Sequence, residues 1–159
     1  MTTETQALIA QIRALPDAVA ALVQGLRVEQ LTTPLIPEEW TIAQIVHHLA
    51  DSHMNSFVRC KLIATESQPT LKPYDQEAWA RLADGSEGEI APSLQILQGL
   101  HHRWTHFFEQ LPDEAWQRSG NHPEDGAISL RRLLQRSAAH GESHLQQIKR
   151  LLAASSEIC

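Results

Sequence analysis

The sequence predicts an all-α protein, a four-helix bundle with one short extra helix. Four long segments carry apolar residues at a helical period of about 3.6, and Pro or Gly residues fall between them. No segment shows the apolar–polar alternation of a half-buried strand. The chain has 159 residues, 42% of them hydrophobic and 20% charged. We therefore expect one domain over residues 1–159, with a core that needs neither disulfides nor a structural metal.

Each predicted helix begins and ends at capping or breaking residues. The first helix contains Pro16, which lacks a backbone amide and either kinks the helix or starts its second half. Thr41 is a suitable N-cap for the second helix, Pro92 suits the first turn of the third, and Ser129 is a suitable N-cap for the last. The sequence thus predicts long helices over 4–26, 42–67, 92–110 and 130–154, a short helix over 75–82, and loops over 31–39 and 120–126.

Charge and cysteine usage exclude several classes of protein. Lys and Arg number 13 against 19 Asp and Glu, and the basic residues are scattered, so the sequence predicts no nucleic-acid partner. No stretch approaches the roughly 20 apolar residues of a membrane span, and the N-terminus lacks the features of a signal peptide. Cys60 and Cys159 form no metal-type pair, so we expect two free thiols and a cytoplasmic location.

The nine histidines carry the strongest functional signal. His140 and His144 are four residues apart, so they share one face of the last helix and can close on a single metal ion. His48, at the edge of the apolar stripe of the second helix, is the best-placed third ligand. On the same helical wheel His47 points to solvent and His53 lies at the opposite edge of the stripe. The alternative is that these histidines are hydrogen-bonded residues at the boundary of the core.

Other residues are candidates for a substrate pocket. Asn55 and Arg59 lie beside His48 on a polar strip of the second helix, where they contact substrate or form an interhelical salt bridge. Trp40 and Trp104 either wall the pocket or pack in the core. On the third helix we expect His102 to face inward, and in the 120–126 loop His122 could cover the site. Gly141 indicates a close approach to the last helix, by a ligand or by a neighbouring helix.

One long string in the second helix resembles the signature of the DinB-like superfamily, in its YfiT-type branch of metal-dependent hydrolases. The string runs from Trp40 to Phe57 and reads WTIAQIVHHLADSHMNSF. Further matches extend the resemblance from about Leu26 to Leu152, and they include Lys72-Pro73-Tyr74-Asp75, Leu100-His101-His102-Arg103-Trp104 and His140-Gly141-Glu142-Ser143-His144.

The resemblance implies a four-helix bundle that holds one divalent metal per chain, zinc or nickel. Carried over by position, the ligands are His48, His140 and His144, and the protein is expected to be a homodimer. Relatives in the wider superfamily are transferases and isomerases that use bacillithiol, mycothiol or glutathione. Ser143 and Gln147 stand where YfiT-type chains tend to carry further histidines.

Three neutral nitrogen ligands leave an open metal position, which allows two kinds of chemistry on small molecules. Bound water would supply hydroxide for hydrolysis, and a bound low-molecular-weight thiol would be held as the nucleophilic thiolate. Asp51 and Glu142 both turn away from the stripe, so no carboxylate is placed to act as a base for water. Asn55 and Arg59 suit an acidic thiol. The sequence therefore favours a thiol S-transferase, with a hydrolase and a non-catalytic metal-binding bundle as the alternatives.

Overall fold

A computed structural model describes residues 1–156, with side chains to residue 154, and consists of four long helices, three short ones and a β-hairpin. A 3-10 turn over Asp113–Gln117 precedes the hairpin. The helices are α1 (Thr3–Val23), α2 (Val28–Thr32), α3 (Ile42–Thr65), α4 (Gln76–Trp79), α5 (Ala83–Ser86), α6 (Ala91–Glu109) and α7 (Leu130–Ser156), and the strands are β1 (Ser119–His122) and β2 (Gly126–Ser129).

The long helices begin where the sequence predicts. The Thr41 hydroxyl accepts from the Gln44 amide, while the Gln44 side chain accepts from the Thr41 amide, so a complete capping box starts α3. The Ser129 hydroxyl accepts from the Arg132 amide and starts α7 in the same manner. Pro16 lies inside a continuous α1 rather than between two helices.

The four long helices form the bundle, in which α1 and α3 each pack against both α6 and α7. The core contains two apolar clusters, one built around Ile42, Ile45 and Leu49 and the other around Trp104, Phe108 and Trp116. In the described part of the chain, α1 alone is long and apolar enough to cross a membrane by length and composition. In this structure it packs in the bundle and buries Ile9, Ile12, Leu15 and Val19.

The hairpin corrects the prediction of a loop over 120–126. Strands β1 and β2 pair antiparallel from Ser119–Ser129 to His122–Gly126, and Gly126 has a φ of +72° at the end of the connecting turn. The 69–71 segment extends the pairing, because the Leu71 amide donates to the Asn121 carbonyl and the Asn121 amide donates to the Pro69 carbonyl. The hairpin carries His122 and Asp125 to the side of the bundle where α3 and α7 meet.

Two short segments differ from the sequence prediction, whereas Cys60 agrees with it. Residues 31–39, predicted as a loop, begin with the last two residues of the short α2. The predicted short helix over 75–82 is helical only in α4, and α5 follows beyond its predicted end. Cys60 is buried and free, as expected, whereas Cys159 lies outside the described residues.

Candidate metal centre

Three histidines from two facing helices converge on one point. His48 on α3 and His140 and His144 on α7 each direct Nε2 toward the others. The His140 Nε2 lies 3.1 Å from the Nε2 of His48 and 3.1 Å from that of His144, and the nitrogens of all three lie within 4.8 Å of one another. Two nitrogens bound to one tetrahedral zinc at about 2.0–2.1 Å lie roughly 3.3 Å apart. The spacing therefore suits a small divalent ion.

The orientation of His144 also suits a cation. Its Nδ1 lies 2.8 Å from Oε1 of Gln147, and an amide oxygen can only accept, so the hydrogen of the neutral ring is on Nδ1. The His144 Nε2 therefore directs a lone pair at the centre of the cluster. Gln147, noted in the sequence as a departure from the family pattern, thus fixes the ring of one predicted ligand.

Burial favours the neutral form of all three rings. Burial, followed by repulsion from a charged His144, lowers the pKa of His48 to about 4. Burial, followed by the charges of His144, His48 and Arg136, lowers the pKa of His140 to about 3. Burial also lowers the pKa of His144, while its hydrogen bond to Gln147 acts in the opposite direction. Neutral imidazoles are the form that binds metal, so the site needs no deprotonation at pH 7.

Trp40 packs against the exposed side of this cluster. Its ring lies edge-on to His48 at 4.7 Å between centroids and is parallel to His144 at 6.4 Å. Its Nε1 donates to the Glu77 carboxylate, which holds the indole in place. The structure thus places Trp40 in ring contact with two of the three predicted ligands.

A cavity of about 180 Å³ lies beside the cluster, between α3, α7 and the hairpin, and is lined in part by His140. Two guanidinium groups line it. Arg59 donates to the Lys72 carbonyl at 2.6 Å, while its buried Nε has no hydrogen-bond partner among the described residues. Arg136 donates to Asp125 at 2.7 Å, and this bond holds the pKa of the Asp125 carboxyl below its usual value. The cavity therefore offers donors to an anion.

Other candidate pocket residues have different positions. The Asn55 amide donates to the Asp51 carbonyl one turn earlier in α3, and Asn55 does not line the cavity. Trp104 is fully buried among the aromatic residues of the core, so it packs behind the site rather than forming a pocket wall. His122, which the sequence analysis considers as a cover for the site, is 7% exposed and lines the cavity from the hairpin.

Two predicted histidine orientations are wrong. His47 is buried, with Nδ1 2.7 Å from the Ser93 hydroxyl and Nε2 2.9 Å from the Glu87 carbonyl. The start of α6 and the segment before it cover this face of α3, which the wheel assigns to solvent. On α6 it is His101 that is buried, at 1% exposed, while His102 faces outward.

Two histidines near the site were not predicted as functional residues. The His53 Nε2 lies 3.2 Å from the His140 Nδ1, and the His53 Nδ1 lies 2.8 Å from the His101 Nε2. Both rings are buried, and burial lowers the pKa of each. The sequence indicates only that His53 lies at the edge of the apolar stripe of α3. It does not show that His101 on another helix is its hydrogen-bond partner.

Gly141 has a packing role. A Cβ at this position would lie 2.6 Å from Cδ2 of Leu15, so α1 approaches the backbone of α7 closely here. Of the two interpretations of this glycine, the structure supports the contact between helices.

Known proteins resemble this chain over most of its length. A "Putative metal-dependent hydrolase" from Geobacillus thermodenitrificans is 45% identical over 145 residues, which are 90% of this chain and 81% of that protein. Another, from Geobacillus kaustophilus, is 43% identical over 150 residues, covering 93% and 84% of the two chains. A third, from Bacillus mycoides, is 41% identical over 143 residues, covering 90% and 82%.

A solved structure has the same fold. YfiT from Bacillus subtilis, described as "a probable metal-dependent hydrolase with an unusual four-helix bundle topology", superposes with a TM-score of 0.93 at 35% identity, over 98% of this chain and 90% of that one. The sequence model of the DinB superfamily matches residues 11–148. These matches confirm the family resemblance and the bundle predicted from the sequence, and the chain belongs to the DinB superfamily.

Proposed function

We propose that His48, His140 and His144 bind one divalent metal ion per chain, zinc or nickel. The convergence of three neutral imidazole nitrogens supports this proposal, as does the description of the relatives as metal-dependent. Imidazole ligands suit both metals. Held by these three imidazoles, a divalent ion would supply the positive charge that favours a thiolate or a hydroxide at neutral pH.

We further propose that the protein is an enzyme that transfers an acidic low-molecular-weight thiol to a small electrophile. The observation that carries this proposal is the cavity beside His140, in which Arg59 and Arg136 both present guanidinium groups. Guanidinium binds carboxylate through paired, charge-assisted hydrogen bonds. The buried Nε of Arg59 has no hydrogen-bond partner among the described residues, and a ligand carboxylate would compete with Asp125 for Arg136.

The cavity suits thiol attack better than base-assisted attack by water. Among the described residues, Asp125 is the one carboxylate that lines it, and Arg136 and His122 both contact its Oδ2, at 2.7 and 3.3 Å. A carboxylate engaged in this way is a poor acceptor for a further proton. In the proposed transfer the thiol releases its proton to solvent, a sulfur–carbon bond forms, and the leaving group departs with the electron pair of the bond that breaks. That step requires no general base during attack.

Hydrolysis of an ester or amide is the second candidate, because the relatives and the structural neighbour are described as metal-dependent hydrolases. A bundle that binds metal without catalysis is the third. All three share the metal ligands. The first two differ in the substrate that the cavity accepts, and the third has no substrate.

The deciding experiment compares these reactions on one preparation. Zinc- or nickel-loaded protein is assayed with bacillithiol, mycothiol or glutathione and a fluorogenic haloalkyl dye, and separately with ester and amide substrates without thiol. We expect thiol conjugation that chelation abolishes. Conversion of ester or amide without thiol, and no conjugation, would establish the hydrolase instead. Neither reaction, with metal still bound, would indicate the non-catalytic bundle.

The thiol site is tested by the cavity arginine. A hydrogen bond to a charged group contributes about 1.5–3 kcal/mol, so Arg59→Ala should raise the KM for the thiol about 10- to 100-fold and leave metal content unchanged. Arg132→Ala removes an exposed guanidinium from the first turn of α7 and serves as the matched control. Equal KM values for the two variants would refute the assignment of Arg59.

A further inference from the structure

A line of three imidazoles connects a backbone carbonyl of α1 to the proposed metal centre. The His101 Nδ1 lies 2.6 Å from the carbonyl oxygen of Ile12, and the His101 Nε2 lies 2.8 Å from the His53 Nδ1. The His53 Nε2 lies 3.2 Å from the His140 Nδ1. The His140 Nε2 then points at His48 and His144. The line therefore passes through all four long helices, α1, α6, α3 and α7.

The carbonyl gives this line a direction. A carbonyl oxygen only accepts, so the His101 Nδ1 must carry the hydrogen, and the Nε2 of the neutral ring is an acceptor. His53 must then donate from Nδ1 and accept at Nε2. His140 must in turn donate from Nδ1, which leaves the lone pair on its Nε2. Each neutral ring has one hydrogen and one lone pair, so no other arrangement satisfies all three bonds.

We propose that His53 and His101 are positioning residues that hold His140 as its Nδ1–H tautomer and so present its Nε2 lone pair to the metal. This inference rests on the proposed metal site and adds the device that orients its central ligand. Histidines that bind metal usually donate their second nitrogen to a carboxylate, a carbonyl or water. Here the second nitrogen donates to another imidazole, that of His53. The tautomer of His140 is therefore set by a carbonyl that lies two rings away, through His53 and His101.

The packing of the rings supports an orienting role. His53 and His101 are each 1% exposed and stack on each other with 5.0 Å between centroids. Trp104 lies edge-on to both, at 5.5 and 5.8 Å, and so restricts rotation of the two rings. The line ends at a carbonyl that cannot take up a proton, so it fixes ring orientation and does not carry protons away from the site.

The direct test is the tautomer of each ring in the metal-free protein. Two-bond nitrogen–hydrogen NMR spectra of 15N-labelled protein near pH 7.5 report which nitrogen carries the hydrogen. We expect the Nδ1–H form for His101, His53 and His140. An Nε2–H form of His140 would overturn the inference, whatever the metal content or activity. Failure to bind metal, with the expected tautomers present, would instead refute the proposed metal site, while the orientation of His140 by His53 and His101 would still hold.

A variant distinguishes positioning from a general structural role. His101→Leu removes the partner of His53 without touching a proposed ligand, and it should produce mixed tautomers of His140. It should also weaken zinc binding about 10- to 100-fold, measured by competition with a chelator. Loss of a hydrogen-bonding group that orients a metal-binding histidine usually has an effect of this size. His47→Leu removes another buried histidine, from α3, whose bonds go to Ser93 and Glu87. Equal losses of zinc affinity in the two variants would overturn the proposal.

Discussion

Acidification should destabilise the metal-free protein through the rings of the candidate site. The pKa of His48 is lowered to about 4 and that of His140 to about 3, whereas both are near 6.5 in an unfolded chain. A histidine with a lower pKa in the folded state binds its proton mainly in the unfolded state. Stability is therefore fully present above pH 6.5 and falls as the pH drops toward 4.

The size of the effect follows from the linkage relation. Between pH 7.5 and 5, each of the two histidines costs about 2 kcal/mol, because the unfolded ring is almost fully protonated at pH 5 and the folded ring is not. His48 and His140 together lower the free energy of unfolding by about 4 kcal/mol, a large share of the roughly 5–15 kcal/mol of a typical domain. Saturating zinc should delay the loss, because protons must then displace the metal.

Urea denaturation of the chelated protein at several pH values between 5 and 7.5 measures this effect. His48→Gln removes one titrating ring, so its loss of stability over this range should be smaller by about 2 kcal/mol. His102→Gln, at an exposed position on α6, is the control and should retain the wild-type dependence. The same dependence on pH in wild type and His48→Gln would refute the reasoning.

Three further predictions concern the metal, the packing and the assembly. His48→Ala should reduce bound zinc from one ion per chain to a small fraction, measured by elemental analysis after dialysis; undiminished stoichiometry would contradict the ligand assignment. Gly141→Ala should destabilise the fold by about 1 kcal/mol, because its Cβ would lie 2.6 Å from Leu15 and overpacking costs about 1–3 kcal/mol against a helix gain of about 1. Gly99→Ala, with open space around it, should instead stabilise in the same urea experiment. Sedimentation at micromolar concentration should give twice the 17.8 kDa chain mass, since the resemblance implies a homodimer.

The sequence predicts the helices and the cluster of three histidines because both depend on local spacing. The capping box of Thr41 and Gln44 is a contact within one turn, and the start of α3 can therefore be predicted without knowledge of the fold. His140 and His144 share a face because they are four residues apart, whatever the helix packs against. His48 required only the additional knowledge of which face of α3 is apolar.

The wrong predictions depend on contacts between segments that are distant in the chain. A helical wheel describes one helix and carries no information on what covers its outer face, so it could not show that Glu87 and Ser93 accommodate His47. The hairpin has four-residue strands that contain Gly and Asn, and Asn121 pairs with the 69–71 segment some 50 residues earlier. The Asp125-Gly126 turn was the one local signal for it.

The position of the four long helices determines the orientation of His140, the central ligand of the proposed metal site. A shift of α1 moves the Ile12 carbonyl, and a shift of α6 moves His101, although neither helix contributes a proposed ligand. Gly141 lets α1 approach α7 closely, and Leu15, which fills that contact, lies one turn from Ile12. A side chain added at Gly141 would therefore push against the helix whose carbonyl begins the line of imidazoles. Packing between helices and the direction of a lone pair at His140 are thus linked through three rings, and a substitution in the core can alter the metal site without contacting it.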